Sequence, residues 1–411
     1  MAAMMAWTNS LPTEAGKLAT KLKSSYWVKN DSTLWTWGRN YDYQLGHTPN
    51  SEKNVPTMVH GMTQVAQIIA GEACAFAVKA DGTLYAWGFN GTSAQLGVGS
   101  VQLATPTLIN IGDDERVKQL VNANYHTVVV TQTKRVYCWG KNDYGQLGVS
   151  SHLTSISKPR RQLDNEKAKM VAAGDNHTLA VTTDGKLYAW GRNNAGQLCD
   201  GTTDNREATT LITTGVKTVV AGADTTVIIK QDGGMWINAN PDETEPLLTN
   251  VRTAVVANRI YVITNNNELL VMDGPTATKL MDDVKSVSAG GDLAFAIKND
   301  LTLWTCDANP RQILTNVAKV STCGEHTLAL KKDGSIWVWG MNEQSQLGLG
   351  DSRKRYVDEP MKLAADSLPE PDEVEEDDLD EEDWAADVNQ DGVIDVGDIM
   401  AIINVMAKIR K

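Results

Sequence analysis

The stretch VAAGDNHTLAVTTDGKLYAWGRNNAGQLC, residues 171–199, decides the fold of this chain. Its apolar first residues indicate one β-strand, and the alternating segment LAVT indicates a second. Thr183-Asp184-Gly185 has the composition of a tight turn, because Gly adopts the positive φ that such turns need at little cost. LYAW then provides a third strand. The stretch therefore predicts three consecutive short strands joined by tight turns.

The same pattern recurs along the chain, which indicates a repeat protein. The well-kept copies of the third strand and the segment after it lie at 34–46, 84–97, 136–148, 187–199 and 336–348. Weaker copies of the unit lie at 219–238, 255–272 and 287–306. The position of Leu34 in the first copy recurs at intervals of 33 to 52 residues, which defines eight units.

A short fourth segment follows the third strand and ends near a proline, as at Pro56, Pro106, Pro159 and Pro360. Because Pro has no N–H to donate to a ladder, it suits an outer edge strand. Four short antiparallel strands that repeat radially form a propeller blade. The predicted fold is therefore all-β, a β-propeller of seven or eight four-stranded blades. The first unit has a poor initial strand at 16–21, so both blade numbers stay open, and we favour eight.

Tryptophan is unusually abundant, with 12 Trp against only 3 Phe. Nine of them fall on the predicted third strands, at Trp35, Trp37, Trp87, Trp139, Trp190, Trp236, Trp304, Trp337 and Trp339. We expect these side chains to pack between neighbouring blades. In the longer units the Asn-x-x-x-Gln-Leu-Gly stretch is predicted to loop between the third and fourth strands, and the shorter units lack that loop.

The string Trp-Gly-x-Asn…Gln-Leu-Gly, with Gly-x-x-His-Thr-x-Ala upstream, resembles the regulator of chromosome condensation repeat family. The resemblance covers roughly residues 14–363. It implies a β-propeller, usually with seven blades, that presents a face built of loops to a protein partner. The founding type of the family is a guanine-nucleotide exchange factor for a small GTPase.

Charge divides the chain into two unlike parts. The net charge is −13, and the residues from Leu363 onward contain sixteen acids and three bases. Removing these from the totals of 51 acids and 38 bases leaves 35 of each, so the repeat region is formally neutral. This balance argues against a broad basic surface, and we predict no nucleic-acid partner. No apolar run is long enough to span a membrane.

These observations predict four segments. They are an N-terminal extension at 1–13, the β-propeller at 14–363, an acidic linker at 364–386, and a calcium loop with a short helix at 387–411. Blocks of like charge repel one another and stay extended, which is why the acidic segment is interpreted as a linker.

The string DVNQDGVIDVGD at 387–398 has the spacing of a calcium loop of the EF-hand type. Calcium prefers several oxygen ligands, and the loop places them at alternating positions. The predicted ligands are Asp387, Asn389, Asp391, Asp395 and Asp398 through their side chains and Val393 through its backbone carbonyl. Calcium is therefore the predicted cofactor, with a solvated acidic loop as the alternative.

An amphipathic helix is predicted directly after this loop. Its apolar residues recur at helical spacing and are interpreted as a partner-binding stripe, Ile399, Ile402, Ile403 and Met406. Asp at position 12 of the loop, where EF-hands use Glu, makes roughly 384–409 similar to half of a dockerin module. This resemblance implies a cohesin-like partner and an extracellular or cell-surface location. A second half of the module and a signal peptide are both missing from the sequence.

Motifs of catalysis are absent, because no nucleophile elbow, P-loop, HExxH or Rossmann fingerprint occurs. His126, His177 and His326 share one repeat position, so we interpret them as hydrogen-bond partners within the fold. The five cysteines are far apart and form no CxxC pair, which argues against disulfides and zinc and favours buried filling residues. The chain is therefore predicted not to be an enzyme.

The predicted function is a non-catalytic β-propeller that binds a protein or glycan and is tethered to a surface or assembly by its calcium segment. Loops at 98–116 and 149–167 are the predicted contact regions, because they do not repeat. Three alternatives stay open. They are guanine-nucleotide exchange or other regulation of a small GTPase, inhibition of a hydrolase, and a carbohydrate-active enzyme of a surface complex.

Overall fold

The computed structural model describes residues 16–99, 101–112, 114–351 and 353–363. This part of the chain contains 31 strands and no helix, and the strands form eight separate antiparallel sheets. The innermost strands contact one another in order around a ring, and the last contacts the first. The fold is therefore a closed β-propeller with eight blades, as favoured above.

Each of the first four blades has four strands, numbered from the inside outward. Blade 1 contains β1 (Leu18–Lys21), β2 (Ser24–Val28), β3 (Leu34–Gly38) and β4 (Lys53–Met58). Blade 2 contains β5 (Val65–Ala70), β6 (Cys74–Lys79), β7 (Leu84–Gly88) and β8 (Leu103–Ile109). Blade 3 contains β9 (Val117–Asn122), β10 (His126–Thr131), β11 (Val136–Lys141) and β12 (Ser155–Gln162). Blade 4 contains β13 (Ala168–Ala173), β14 (His177–Thr182), β15 (Leu187–Gly191) and β16 (Arg206–Thr213).

The other four blades include the weaker copies of the repeat. Blade 5 has three strands, β17 (Val216–Ala221), β18 (Thr226–Lys230) and β19 (Met235–Ile237), and an isolated bridge of Met235 with Leu248 replaces the fourth. Blade 6 contains β20 (Val251–Val256), β21 (Ile260–Thr264), β22 (Leu269–Asp273) and β23 (Thr276–Met281). Blade 7 contains β24 (Val284–Gly290), β25 (Leu293–Lys298), β26 (Leu303–Thr305) and β27 (Gln312–Leu314). Blade 8 contains β28 (Val317–Thr322), β29 (His326–Lys331), β30 (Ile336–Met341) and β31 (Tyr356–Lys362).

The hydrophobic core lies between blades, not within one centre. Val128 and Val130 of blade 3 pack with Val171, Ala180 and Trp190 of blade 4 in one such cluster. A single blade cannot bury its apolar faces alone, so each depends on both neighbours. The second strands are almost completely buried, whereas the outermost strands are largely exposed on one side.

The four prolines near the ends of the units all lie in outermost strands. They are Pro56 in β4, Pro106 in β8, Pro159 in β12 and Pro360 in β31. None of these strands has a further partner on its outer side. The predicted edge position of the prolines is confirmed.

The prediction that 98–116 and 149–167 are long loops is wrong for the middle of each segment. The middle of each segment is an outermost strand, the 7-residue β8 and the 8-residue β12 respectively. β12 has the sequence SISKPRRQ and is exposed along most of its length. Because one side of such a strand faces solvent, its sequence carries too few apolar residues to reveal a strand.

Seven of the nine tryptophans of the third strands make one of two kinds of hydrogen bond. Trp37, Trp87, Trp139 and Trp190 are fully buried, and each indole Nε1 donates to a backbone carbonyl of the preceding blade. These residues confirm the predicted packing between blades. Trp35, Trp304 and Trp337 donate instead to a turn hydroxyl of their own blade, on Thr33, Thr302 and Ser335.

Candidate interaction face

One face of the propeller is built from two sets of connections. In antiparallel blades the turn between strands 1 and 2 and the loop between strands 3 and 4 emerge at the same end. Backbone bonds join the two sets, as from Phe89 N to Ala73 O at 2.8 Å and from Lys141 N to Tyr125 O at 2.9 Å. We call this surface the loop face, and the turns nearest the axis the inner turns. Its long loops are the described residues of 39–52, 89–102, 142–154, 192–205 and 342–355.

A buried asparagine shapes each long loop. In blade 3, Asn142 Oδ1 accepts a hydrogen bond from Leu147 N at 2.9 Å, and its Nδ2 donates to Leu153 O at 2.8 Å. The side chain of Leu147 is then fully buried. Equivalent asparagines accept from the equivalent backbone N–H in the other long loops, at Asn40, Asn90, Asn193 and Asn342. The Asn of the repeat therefore serves loop geometry.

The glutamine of the repeat joins each long loop to the next blade by hydrogen bonds. The Gln146 carbonyl accepts from Trp190 Nε1 at 2.9 Å and from Thr178 Oγ1 at 2.8 Å, and both donors belong to blade 4. Its side chain accepts from Tyr144 N at 2.9 Å within the loop. The long loops are thus fixed by their own backbone and by the adjacent blade, which makes the face a pre-organised surface.

The repeated histidines link neighbouring blades. His126 Nε2 lies 3.0 Å from Thr178 Oγ1, and His177 Nε2 lies 2.9 Å from Thr226 Oγ1. Burial lowers the pKa of His126 and of His177 to about 3, so both imidazoles are neutral at physiological pH. Because both threonine hydroxyls donate to glutamine carbonyls, they accept from the imidazole N–H. The interpretation of these histidines as structural hydrogen-bond partners is confirmed.

Charged residues surround the propeller axis at the inner turns. Lys21 is buried there, and burial lowers its pKa, although Glu72 and Asp175 partly oppose this effect. Burial and the nearby Asp224 raise the pKa of Asp175. Asp224 in turn accepts from Gln197 Nε2 at 3.0 Å and lies 3.6 Å from Arg192. Among the residues that the structure describes, no cluster of three or more His, Cys, Asp or Glu has the arrangement of a metal site.

Exposed apolar side chains of the loop face include Val101 and Leu153 of the long loops, and four further ones lie on four consecutive blades. Met341 of blade 8 is 38% exposed, Tyr41 of blade 1 is 51%, Phe89 of blade 2 is 38% and Tyr125 of blade 3 is 37%. Cations flank two of them, since Arg39 lies 5.7 Å from the Tyr41 ring and Lys141 lies 5.6 Å from the Tyr125 ring. We call Met341, Tyr41, Phe89 and Tyr125 the aromatic arc. Aromatic residues, Met and Arg are the types enriched at protein interfaces.

The aromatic arc was missed at the sequence level, although a signal was present. Phe89 and Met341 occupy the x of Trp-Gly-x-Asn, which varies while its neighbours repeat. Arg39, Lys141 and Arg192 occupy the same position in other blades. A variable residue inside a constant motif is a candidate for recognition, because packing does not determine it.

The predicted calcium site and helix stripe fall in a part of the chain that the structure does not describe. Asp387, Asn389, Asp391, Val393, Asp395 and Asp398 lie outside the described residues, as do Ile399, Ile402, Ile403 and Met406. The N-terminal extension and the acidic linker are also outside them.

Comparisons with known proteins identify the class of this propeller. The RCC1-like domain model matches residues 13–306, and models of the regulator of chromosome condensation (RCC1) repeat match 317–346 and 333–369. The chain therefore belongs to the family of RCC1-like domains.

Individual relatives share part of their length with this chain. The ultraviolet-B receptor UVR8 of Arabidopsis thaliana is 33% identical over 210 residues, which is 49% of this chain and 48% of that protein. The X-linked retinitis pigmentosa GTPase regulator of Canis lupus familiaris is 36% identical over 164 residues, 38% of this chain and 15% of that protein. The chain thus spans less than half the length of these curated relatives.

Solved structures show the same fold at low sequence identity. Human WBSCR16 has a TM-score of 0.57 at 19% identity, covering 81% of this chain and 94% of that one. Yeast RCC1 (Prp20), solved with Kap60 bound, has a TM-score of 0.59 at 16% identity and covers 80% and 83%. No helix in the described part of the chain is long and apolar enough to cross a membrane.

Proposed function

We propose that this protein is a non-catalytic interaction propeller that binds a protein partner through its loop face. The observation that carries the proposal is the aromatic arc, which places exposed apolar groups on adjacent blades. Tyr41 and Phe89 project from long loops held by buried Asn and Gln side chains, and Lys141 N donates to Tyr125 O in the inner turn of blade 3. Little ordering cost therefore accompanies binding at these positions. A protein interface of ordinary size covers about 800 Å² on each partner, which several adjacent blades can provide.

The test compares partners recovered with the native chain and with two variants. Phe89→Ala/Tyr125→Ala shortens two members of the aromatic arc. Leu108→Ala/Leu211→Ala shortens two side chains that are 56% and 49% exposed on outermost strands. Each chain is used as bait in an extract of its own source, and captured proteins are quantified by mass spectrometry.

We expect at least one partner whose capture falls by about tenfold or more in the loop-face variant, because central aromatic contacts dominate interface energies. The same partner should be retained by the outer-strand variant, which has lost as much exposed apolar surface. An identical partner set for all three chains would refute binding through the aromatic arc.

Regulation of a small GTPase is the second candidate. Its support is the similarity to a protein named as a GTPase regulator, which is limited to 38% of this chain. Release of a fluorescent guanine nucleotide from purified small GTPases tests it directly. Acceleration by the native chain that is lost in Phe89→Ala/Tyr125→Ala would support this candidate, and an unchanged release rate would exclude it for the GTPases assayed.

We also propose that the C-terminal segment binds calcium and tethers the propeller, through a cohesin-like partner, at a cell surface or in an extracellular assembly. The support is the oxygen-ligand spacing of DVNQDGVIDVGD and the apolar stripe after it. Calorimetric titration of the full chain with CaCl₂ tests the metal site. Asp387→Asn/Asp391→Asn should abolish binding, whereas the linker variant Asp377→Asn/Asp380→Asn should retain it. Equal binding by both variants, or none by the native chain, would contradict the calcium site.

A further inference from the structure

One cysteine occupies a position that other blades keep small. Cys323 lies in the inner turn of blade 8, where blades 2, 4 and 5 have Gly71, Gly174 and Gly222. A Cβ added to Gly174 would lie 2.2 Å from Cε1 of His177 in the same blade. Because Cys323 occupies the equivalent position in blade 8, its sulfur atom lies beside His326, the repeated histidine of that blade.

The thiol contacts the one ring nitrogen that the repeat leaves unused. Cys323 Sγ lies 3.4 Å from Nδ1 of His326. In blades 3 and 4 the corresponding Nδ1 atoms of His126 and His177 are buried and have no hydrogen-bond partner. The thiol–imidazole pair is thus a feature that blade 8 does not share with those blades.

Hydrogen bonding to blade 1 determines which nitrogen of His326 accepts a proton. The Ser25 hydroxyl donates to Gln346 O at 2.7 Å, so its oxygen accepts from His326 Nε2 at 2.8 Å. With the proton on Nε2, Nδ1 presents its lone pair to the Cys323 thiol. Transfer of the thiol proton to Nδ1 leaves a thiolate beside an imidazolium, and the Nε2–H bond to Ser25 is kept.

The surroundings favour the thiolate at this cysteine over the other four. Burial acts to raise the pKa of the Cys323 thiol, but the His326 imidazole outweighs burial and lowers that pKa to about 7. Burial raises the pKa of Cys74, Cys138, Cys199 and Cys306 well above the ordinary range. Thiolate is the nucleophilic form of cysteine, so these four side chains are poorer nucleophiles than Cys323.

We propose that Cys323 is a nucleophilic modification site for small uncharged electrophiles, with His326 as the acceptor of its proton and Ser25 as the residue that positions the imidazole. With an alkyl iodide such as iodoacetamide, Sγ attacks the methylene carbon, a C–S bond forms and iodide leaves. The thiol proton passes to His326 Nδ1 and then to solvent. Atoms and charge balance without a further reactant.

The site also lies in the seam that closes the ring. Cys323 Sγ lies within hydrogen-bond distance of Leu22 O of blade 1, at 3.5 Å, so an adduct on sulfur breaks this contact and needs space that the seam does not contain. Modification is therefore expected to separate the inner turns of blades 8 and 1 and to lower the stability of the propeller.

Solvent exposure of the sulfur and its pairing with a histidine make opposite predictions about which cysteine reacts first. Cys306 is 7% exposed, whereas Cys323 is only 2% exposed. The native full chain is treated with iodoacetamide at several pH values from 6 to 9, digested, and mapped by mass spectrometry. We expect Cys323 to be labelled first, with a rate that rises through a midpoint near its pKa of about 7. Labelling of Cys306 before Cys323, or a Cys323 midpoint above about 8.5, the value of an ordinary thiol, would overturn the proposal.

Two variants separate the pairing from general accessibility. His326→Gln removes the proton acceptor, and labelling of Cys323 at pH 7 should fall roughly tenfold, because the thiolate fraction falls from about half to a few per cent. Cys323→Ser should abolish the early adduct and leave the slow labelling of Cys306 unchanged. Circular dichroism checks that each variant is folded. A folded His326→Gln chain that labels at the native rate would refute the role of His326, and the pH profile of the native chain decides the case if that variant does not fold.

Discussion

Single buried polar residues determine the shape of the loop face. Asn193 of blade 4 accepts from Leu198 N at 2.9 Å and donates to Asp200 Oδ1 and Thr202 O, both at 3.0 Å. A side chain that satisfies several buried backbone groups at once cannot be replaced by an apolar one without leaving those groups unpaired. The Asn of the motif therefore recurs in this chain because it satisfies buried backbone hydrogen bonds. The variable residue x of Trp-Gly-x-Asn is left free to contact a partner.

The first prediction compares adjacent asparagines of this loop. Asn193→Ala should lower the free energy of unfolding by about 2–4 kcal/mol, because buried donors and acceptors lose their partner. Asn194→Ala, at the exposed neighbouring position, should change it by less than about 0.5 kcal/mol. Urea denaturation followed by tryptophan fluorescence measures both. Equal effects at the two positions would contradict the role assigned to the motif.

The second prediction concerns pH. The pKa of His126 and of His177 is about 3 in the fold because of burial, against about 6.5 in an unfolded chain. Between these values the unfolded chain binds protons that the folded chain does not. Stability should therefore fall as the pH decreases below 6.5, by about 1.4 kcal/mol per pH unit for each histidine.

Urea midpoints from pH 7.5 to 5 measure this dependence. Carboxylates also titrate at low pH, so the relevant quantity is the difference in slope between the native chain and His126→Gln/His177→Gln. The variant should have the shallower slope. Parallel slopes would show that the two histidines are not responsible.

At the scale of elements, the third strand of each of blades 1 to 4 is joined to the preceding blade through its final tryptophan. In blades 1 to 3 the loop glycine opposite leaves room for the indole. A Cβ on Gly97 would lie 2.9 Å from Nε1 of Trp139 in the next blade. The contact between blades 4 and 5 lacks both the tryptophan and the glycine. Asn238 replaces the tryptophan in blade 5 and donates to Ala195 O at 3.1 Å, and Cys199 stands at the glycine position of blade 4.

The third prediction separates contact between blades from backbone strain. Gly97 and Gly99 have φ values of +83° and +93°, but a Cβ on Gly99 would meet nothing within 4 Å. Both alanine variants pay the cost of a left-handed backbone, about 1 kcal/mol. Gly97→Ala should lose a further 1–3 kcal/mol, roughly, through the clash with Trp139. Thermal unfolding of the two variants measures the difference, and equal melting temperatures would contradict the contact.

At the scale of the whole molecule, the ring closes with the contacts that join its other blades. Trp37 Nε1 of blade 1 donates to Gln346 O of blade 8 at 2.9 Å, and Ser25 Oγ meets His326 Nε2 at 2.8 Å. The residues that meet at this seam are about 300 positions apart, for example Thr20 and Ser321, whose hydroxyls are 3.0 Å apart. Blades 1 and 8 are thus joined by the same kinds of contact as blades that are adjacent in the sequence.

The fourth prediction tests the short first strand. A chain that begins at Ser24 lacks β1, which buries Leu18 and Ala19. We expect its free energy of unfolding to fall by at least about 3 kcal/mol, because the inner faces of both adjacent blades become uncovered. A chain that begins at Gly16 keeps every described residue and is the matched control. Equal stability of the two chains would mean that β1 has no part in closure.

The repeat unit and its strands were determined by the sequence alone, because period-2 alternation and turn composition act within a few tens of contiguous residues. The buried roles of His126 and Trp139 followed for the same reason, since a position that repeats serves the same packing in every blade. Prolines indicated the outermost strands β8 and β12, but the extent of these strands was not predicted, because solvent on one side removes their apolar pattern.

Tertiary structure alone decided that there are eight blades, since closure depends on Ser25 and His326, which are 301 positions apart. It also decided that Tyr41, Phe89, Tyr125 and Met341 share one exposed surface, and that the Cys323 thiol meets an imidazole bonded to another blade. Each of these results depends on distances between blades. Such distances arise only when the ring closes, because every blade buries its faces against its neighbours.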